Sequence, residues 1–161
     1  MIIRRELPSD TDQIRVLFST VMSADFYDRL HADQAWRPEM SLVAIGDNGE
    51  VTGHVGATRA QVGSSPVLAL VPPSVDPSRR GEGIGRALMH AVLGAAEALD
   101  EPLVGLVATP PEYYHRFGFR AADEYNIISP VGGWKPYFLI CPLAAYNPSL
   151  AGMFRFPDPF P

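Results

Sequence analysis

The chain has 161 residues, of which 47% are hydrophobic and 19% charged, a composition typical of one globular domain over residues 1–161. The net charge of −5 and the absence of a basic run argue against a nucleic-acid-binding protein, and a single cysteine, Cys141, excludes an internal disulfide. No apolar run approaches the ~20 residues of a membrane-spanning helix, and the charged segment 1–6 is too short for a signal peptide, so we expect a cytoplasmic protein that binds no membrane.

The first 33 residues are predicted to form one strand and two helices. The strand covers residues 2–7. In the first helix, apolar residues recur on one face, and Ser9 or Asp10 is placed to cap the N-terminus, with Gln13 completing a capping box behind Asp10. The second helix covers residues 24–33. Its acidic residues are Asp25, Asp28 and Asp33.

The middle of the chain is predicted to form a meander of three strands. Residues 42–45 are the first of these, and the turn sequence Asp-Asn-Gly-Glu at 47–50 predicts a hairpin into the second, residues 51–60. This second strand alternates in polarity, which places His54 on its polar face. Residues 67–71 are an apolar third strand.

A glycine-rich segment, residues 79–86, separates this meander from a long helix. Apolar residues recur from Ile84 to Leu99 at i, i+3, i+4 and i+7 spacing, which predicts a helix with one face on a sheet. Gly94 inside it suggests close packing of the backbone. The remaining predicted elements are a buried strand over 103–108, a short helix over 112–117 and a late strand over 137–141. This order of elements predicts an α/β fold with a mixed sheet.

The glycine-rich segment has the features of an anion-binding loop. Three glycines within five residues, Gly81, Gly83 and Gly85, remove every Cβ where a ligand would approach the backbone. The helix that follows offers free N–H groups and the positive end of its dipole, which suit a phosphate or pyrophosphate. The loop lacks the Gly-Lys-Ser/Thr of a nucleoside-triphosphate site, and Arg86 stands where a dinucleotide loop has its third glycine. A glycine-rich turn without a ligand is the remaining alternative.

Two motifs in this order resemble those of the GNAT superfamily of N-acetyltransferases. Arg80-x-x-Gly83-x-Gly85, after Val-Asp-Pro at 75–77 and before an amphipathic helix, resembles that family's coenzyme A signature, Gln/Arg-x-x-Gly-x-Gly/Ala. Downstream, Tyr-Tyr-His-Arg-Phe-Gly-Phe at 113–119 resembles the short helix and Tyr-x-x-x-Gly-Phe ending that follow the family's fifth strand. This motif is similar to that of one bacterial branch of predicted N-acetyltransferases, and the resemblance covers nearly the whole chain.

The resemblance implies a GNAT-like α/β fold: a mixed central sheet of about six to seven strands, splayed between strands 4 and 5 and flanked by about four helices. Acetyl-CoA would be the cosubstrate, with no metal, and would lie in that opening. Backbone groups of Ser74, Val75 and Asp76 would bind its pantetheine, and the Val75 N–H is the candidate to polarise the acetyl carbonyl. The residues that would hold the pyrophosphate are Arg80, Gly81, Glu82, Gly83, Ile84, Gly85 and Arg86.

The resemblance also implies the reaction, in which a primary amine of a small molecule or peptide attacks the thioester directly in a ternary complex. Tyr114, four residues before Gly118, stands where the family places its general acid, and a phenol stays protonated at pH 7. Many relatives have a glutamate base on the third or fourth strand. Since residues 67–71 contain no acid, His54 is the candidate base. The alternatives are a packing tyrosine and a structural histidine, and the other candidates for the base are Glu112, Asp76, Glu39 or a chain of water molecules without a dedicated base.

The acceptor is less constrained. The acidic residues of the second helix, together with Glu39, would attract a cationic amine or form a solvated surface, and Phe26 and Trp36 would line an apolar pocket or pack in the core. Cys141 is expected to be a buried thiol. The other histidines are expected at the surface: His31, His90 and His115. No spacing of histidines, cysteines and aspartates suggests a metal site.

Two questions stay open on the sequence. A non-catalytic acetyl-CoA-binding sensor or partner module is the alternative function, and the two alternatives for the assembly are a monomer and a homodimer. The C-terminal segment, residues 146–161, forms a loose tail, an extra strand or a contact with a second subunit. The alternation of Phe154 and Phe156 about Arg155 favours packing as a strand.

Overall fold

The computed structural model describes residues 1–160 and contains four α-helices and nine strands within them. The helices are α1 (Thr11–Val21), α2 (Ala24–Ala32), α3 (Ile84–Ala98) and α4 (Glu112–His115). The strands are β1 (Ile2–Arg5), β2 (Leu42–Ile45), β3 (Val51–Val62), β4 (Ser65–Val75), β5 (Leu103–Val107), β6 (Arg120–Ala121), β7 (Ile127–Ile128), β8 (Phe138–Pro142) and β9 (Gly152–Arg155). Short 3-10 turns occur at Pro8–Asp10, Pro38–Met40, Pro77–Arg79, Ala122–Tyr125 and Gly132–Tyr137.

Seven strands form one continuous path in the order β1-β2-β3-β4-β5-β8-β6. Along this path β4 and β5 run parallel, whereas the other neighbouring pairs are antiparallel. Because a parallel pair needs a crossover connection, α3 links β4 to β5 across one face of the sheet. The predicted α/β fold with a mixed sheet of about six or seven strands and about four helices is confirmed.

The two faces of the sheet are covered by different parts of the chain. Successive side chains of a strand point to opposite faces, so Leu70 of β4 belongs to a buried cluster with Leu88 of α3, while its neighbour Val71 belongs to one with Phe18 of α1. β9 covers the rest of the α1 side. Both faces of the central strands are therefore buried, including the face of β3 that the sequence predicts to be polar.

The long helix α3 buries the apolar face that its periodicity predicts. Its buried residues are Ile84, Leu88, Met89, Val92 and Ala96. The predicted close packing at Gly94 is wrong, because a Cβ built there meets no atom within 4 Å. The close approach occurs at Gly53 of β3 instead. A Cβ there would lie 2.8 Å from Leu88 Cδ1 and 2.9 Å from Ile84 Cγ2.

The predicted capping box at the start of α1 is also wrong. Asp10 ends the preceding 3-10 turn with helical φ and ψ of −87° and −14°, so it lacks the extended conformation of an N-cap residue. Its carboxylate accepts hydrogen bonds from the Arg4 guanidinium and the Leu7 N–H, both at 2.7 Å. Gln13 Oε1 accepts from the Val51 N–H at 2.9 Å and so connects α1 to β3.

The C-terminal segment packs onto the sheet. β9 pairs with β3 at Gln61↔Arg155 and Val62↔Phe154, and the Phe154 side chain is fully buried. Pro161, the last residue of the segment considered from the sequence, lies outside the described residues. Among the helices of residues 1–160, none combines the length and apolar character required to cross a bilayer.

Candidate functional site

β4 and β5 separate soon after they meet. Their parallel pairing covers two register positions, Leu68↔Val104 and Ala69↔Gly105. Beyond Ala69, β4 continues to Val75 with β3 as its partner, so its other edge faces a gap. The predicted opening between strands 4 and 5 is confirmed.

A β-bulge lies at the mouth of this gap. The register of β3 and β4 shifts between His54 and Gly56, opposite Pro72 and Pro73. Neither proline has an N–H to donate, so regular pairing is interrupted there. Because a bulge bends the strand and increases its local twist, this one favours divergence of β4 from β5.

The bulge is followed by a short stretch of regular pairing that determines which backbone groups face the gap. The Asp76 N–H donates to the Thr52 carbonyl at 2.9 Å. Since hydrogen bonds alternate along an antiparallel pair, Val75, opposite Gly53, directs its N–H away from β3 and towards the gap. The same alternation turns the backbone groups of Ser74 towards β3. Of the three predicted pantetheine-binding residues, Val75 therefore offers an N–H at the gap.

The glycine-rich loop presents open backbone at the start of α3. Gly81 and Gly83 have φ values of 86° and 82°, in the left-handed region that favours glycine, and a Cβ built on either meets no atom within 4 Å. The first hydrogen bond at the start of α3 runs from the Ala87 N–H to the Gly83 carbonyl at 3.0 Å. The N–H groups of the three preceding residues thus point out of the helix, as an anion site requires.

The side chains of this loop differ in what they offer. Arg79 is held by carboxylates, 3.0 Å from Glu82 and 3.1 Å from Glu50. Arg80 and Arg86 are exposed and have no ion pair with any residue that the structure describes. The Ile84 side chain is buried in the α3 cluster, so its amide alone faces outward.

The rings of the two tyrosines of α4 meet edge to face with centroids 5.0 Å apart, and both pack against the α3 cluster. Tyr114 is half-buried and packs on Phe119 with ring centroids 5.9 Å apart, and burial raises the pKa of its phenol to about 12. The Tyr113 hydroxyl lies 3.7 Å from a Cβ built on Gly85, whose other neighbour there is Val75. The Tyr113 hydroxyl therefore lies beside the start of α3, next to the glycine-rich loop.

His54 is fully buried between β3 and the first two helices. Its Nε2 lies 2.9 Å from Ser41 Oγ, and its ring stacks on Trp36 with centroids 6.5 Å apart. Burial lowers the pKa of the imidazole, which is therefore neutral. His54 stands opposite Ser74 in the β3–β4 register, and His54 Nδ1 and Ser74 Oγ are both buried without a hydrogen-bond partner among residues 1–160.

A buried carboxylate that the sequence analysis did not single out lies behind this histidine. The Glu6 side chain is 8% exposed and accepts hydrogen bonds from Ser41 Oγ at 2.7 Å and Tyr27 Oη at 3.1 Å. Its Oε1 lies 2.6 Å from Nε2 of His31, a residue that is 45% exposed, as expected for a surface histidine. Glu6 occurs in a charged N-terminal stretch, and nothing in its spacing distinguishes it from an exposed residue.

A pocket of about 710 Å³ opens where β4 and β5 diverge, on the side of α1 and α2. Its apolar wall includes Phe26, Leu70, Leu106, Trp134, Phe156 and Phe160. The prediction for Phe26 as a lining residue thus agrees with the structure, whereas Trp36 packs in the core beside His54.

The acidic residues of the second helix do not line the described part of this pocket. Asp25 pairs with Arg29 at 2.9 Å and Asp28 pairs with Arg15 at 3.0 Å, both at the exposed surface. The Asp33 carboxylate accepts a hydrogen bond from the Ala35 N–H at 2.8 Å. Of the two sequence-based alternatives, the structure favours a solvated acidic surface.

The one cysteine and the possible metal ligands offer no further chemistry at this site. Cys141 is buried, and burial raises the pKa of its thiol to about 11, which keeps it protonated. Within residues 1–160, no three side chains of histidine, cysteine, aspartate or glutamate are grouped so that they could hold a metal ion.

Comparison with known proteins identifies the family of this arrangement. A family model described as an acetyltransferase (GNAT) domain matches residues 3–122. No curated protein matches the chain significantly. The solved structure of the GNAT family N-acetyltransferase YhbS from Escherichia coli, in complex with CoA, is 27% identical and has a TM-score of 0.90, with 99% of this chain and 91% of that chain covered.

Two further solved structures are similar. A GNAT family acetyltransferase from Brucella melitensis, in complex with acetyl-CoA, is 29% identical with a TM-score of 0.78, and the match covers 99% of this chain and 97% of that one. An acetyltransferase of the GNAT family from Staphylococcus aureus shares the fold at 16% identity and a TM-score of 0.66, with 88% of this chain and 98% of that chain covered.

Proposed function

The chain belongs to the GNAT family of acetyltransferases, and from this we propose that it transfers the acetyl group of acetyl-CoA to a primary amine of a small molecule or peptide. The observation that carries the proposal is the gap between β4 and β5. The glycine-rich loop lies at the start of the crossover helix, and the apolar pocket lies where the strands diverge. A cosubstrate and an acceptor would thus reach the gap from different sides, as direct attack in a ternary complex requires.

The residues present fit coenzyme A. Gly81 and Gly83 leave open space beside backbone N–H groups, which suits a pyrophosphate, and a side chain at either glycine would fill that space. Exposed Arg80 and Arg86 supply positive charge next to it. The Val75 N–H, turned towards the gap, is placed to reach the acetyl end of the cosubstrate. The YhbS and Brucella melitensis proteins were solved with CoA and acetyl-CoA, which supports the same cosubstrate here.

The chemistry needs an activated acetyl group, a stabilised oxyanion and a protonated leaving thiolate. Acetyl-CoA supplies a thioester whose carbon–sulfur bond breaks as a carbon–nitrogen bond to the amine forms, with one amine proton lost and one proton gained by sulfur. The Val75 N–H would donate to the carbonyl oxygen as negative charge develops on it. Tyr114 would donate its phenolic proton to the thiolate, and a pKa of about 12 keeps that proton in place at neutral pH.

His54 remains the proposed base, acting through its position opposite Ser74. Its neutral imidazole has an unpartnered Nδ1, and its partner in the β3–β4 register, Ser74, is the neighbour of Val75. Both facts support a role for His54 in accepting the amine proton. The buried ring does not line the apolar pocket, so the proton would have to reach it through Ser74 or a bridging water. A folded His54→Asn variant with wild-type kcat at all pH values between about 6 and 9 would remove this role.

The proposed function is tested first by ligand binding and then by turnover. Acetyl-CoA should raise the Tm of the full chain, because a ligand that binds only the native state stabilises it, whereas NADH should leave the Tm unchanged. A panel of amines with a free-thiol readout then measures transfer. Stabilisation by NADH alone would refute the proposal. Binding of acetyl-CoA without transfer to any amine would replace it with a non-catalytic acetyl-CoA sensor.

A further inference from the structure

The apolar pocket at the divergence of β4 and β5 has the size and composition of a small-molecule site. Its volume of about 710 Å³ falls within the ~300–1,000 Å³ of ligand pockets. Leu70 of β4 and Leu106 of β5 belong to its wall, so the pocket reaches the gap where the reaction would take place. Phe26, Phe156 and Phe160 supply aromatic rings around it.

The C-terminal segment builds one wall of this pocket. The rings of Phe156 and Phe160 lie 4.9 Å apart, and Phe160 meets Phe26 of α2 edge to face at 5.4 Å. Trp134 meets Phe156 edge to face at 6.0 Å. Since β9 anchors the segment through the fully buried Phe154, the aromatic wall is held in a defined place.

The charge at the pocket is confined to its rim, where it is part of an ion pair. Arg29 is the one charged side chain in the described part of the lining, and it is 55% exposed. Its guanidinium donates to the Asp25 carboxylate at 2.9 Å and to the Pro159 carbonyl at 3.2 Å. No carboxylate in the described lining could receive a second ammonium group, so a substrate with two positive charges would leave one of them unpaired next to Arg29.

We infer that the acceptor is a primary monoamine whose body is an aromatic or branched aliphatic group, held against the rings of Phe26, Trp134 and Phe160. This inference rests on the proposed acetyl transfer and narrows its acceptor class. The amine points to the gap and the apolar body replaces water in the pocket, which favours such an acceptor over a hydroxylated or dicationic amine of similar length.

The inference predicts an order of substrates for the full chain with saturating acetyl-CoA. Phenethylamine and isoamylamine should have kcat/KM values about 100-fold above those of ethanolamine and putrescine, because even one methylene in an apolar pocket is worth roughly 10-fold or more. Phe160→Ala should raise the KM for phenethylamine about 10-fold and leave the Tm shift with acetyl-CoA unchanged. Met153→Ala is the matched control, because Met153 lies in the same segment, is 49% exposed and is outside the pocket lining.

A second variant keeps the test independent of any loss of packing. Phe160→Trp adds volume, so it should reduce turnover of phenethylamine more than that of methylamine. A preference for putrescine or ethanolamine, or an equal response of both amines to Phe160→Trp, would overturn the acceptor class while the acetyltransferase activity stands. Failure of acetyl-CoA to raise the Tm, with no amine acetylated, would instead refute the proposed function itself.

Discussion

Ser41 Oγ lies 2.9 Å from Nε2 of the fully buried His54 and, on its other side, 2.7 Å from the carboxylate of Glu6. The hydroxyl donates to the carboxylate, so it accepts from the histidine, and the imidazole carries its proton on Nε2. This arrangement leaves Nδ1 as the free acceptor of His54, on a strand position opposite Ser74. A side chain far from the gap thereby sets the tautomer of the proposed base.

The Glu6 carboxylate should make stability depend on pH in the acid range. Burial acts to raise the pKa of Glu6, but the polar Nε2 of His54 at 3.6 Å and hydrogen bonds with Ser41 and His31 outweigh it and lower the pKa to about 2. Because this is below the value of about 4.3 in an unfolded chain, the stabilisation is complete above about pH 4.5 and is lost as the pH falls towards 2. We predict that the free energy of unfolding, measured with urea, falls between pH 5 and pH 2 by about 3 kcal/mol more in wild type than in Glu6→Gln. The control variant is Glu124→Gln at an exposed position, and its free energy of unfolding should change with pH as in wild type. The same pH dependence in all three proteins would contradict the prediction.

The phenol of Tyr114 should affect turnover and not binding. Removing a general acid typically costs ~10²–10⁴-fold in rate, so we predict that Tyr114→Phe lowers kcat at least ~100-fold while the Kd for acetyl-CoA changes little. Tyr146→Phe removes a phenol from a half-buried tyrosine outside the site and should keep wild-type kcat. Steady-state kinetics with isothermal titration separates the two effects, and an unchanged kcat in Tyr114→Phe would exclude the acid role.

A side chain with negative charge at Gly83 should abolish cofactor binding. Gly83 has a φ of 82° and open space at its Cβ position, so an aspartate there would meet the incoming pyrophosphate with bulk and like charge. We predict loss of the Tm shift with acetyl-CoA for Gly83→Asp. Gly63→Asp, at the opposite end of β4, has a φ of 59° and equally open space, so it suffers similar backbone strain of roughly 1–2 kcal/mol and should retain binding. Wild-type affinity in Gly83→Asp would refute the assignment of the loop.

Substitution by alanine should change the stability of the fold in opposite directions at two glycines. A Cβ on Gly105 of β5 would lie 2.6 Å from Cζ of Phe154, whose ring is packed in the core, so Gly105→Ala should destabilise the fold by about 1–3 kcal/mol. A Cβ on Gly94 of α3 meets nothing within 4 Å, so Gly94→Ala should stabilise it by up to about 1 kcal/mol. Thermal and urea unfolding measure both changes. A lower free energy of unfolding in Gly94→Ala would contradict the prediction, because open space at the Cβ position would then not be sufficient for alanine to stabilise the helix.

The order of elements and the phosphate-type loop could be predicted because their signals are local. The i, i+3, i+4 periodicity of α3 is contained within the helix itself, and the glycines that open the loop at residues 81–85 are adjacent in sequence. The errors at Gln13 and Gly94 have a common cause. Each residue was assigned a role without knowledge of what lies across from it, which is Val51 for Gln13 and open space for Gly94.

The sequence by itself determined the order of elements and the glycine-rich loop, because helix and turn preferences depend on residues a few positions apart. The tertiary structure alone decided that Glu6 is buried behind His54 and that the C-terminal rings close the pocket. The contact between Arg29 and the Pro159 carbonyl spans 130 residues. No periodicity records such a pairing, since it arises only when α2 and the C-terminal segment pack on the same face of one sheet.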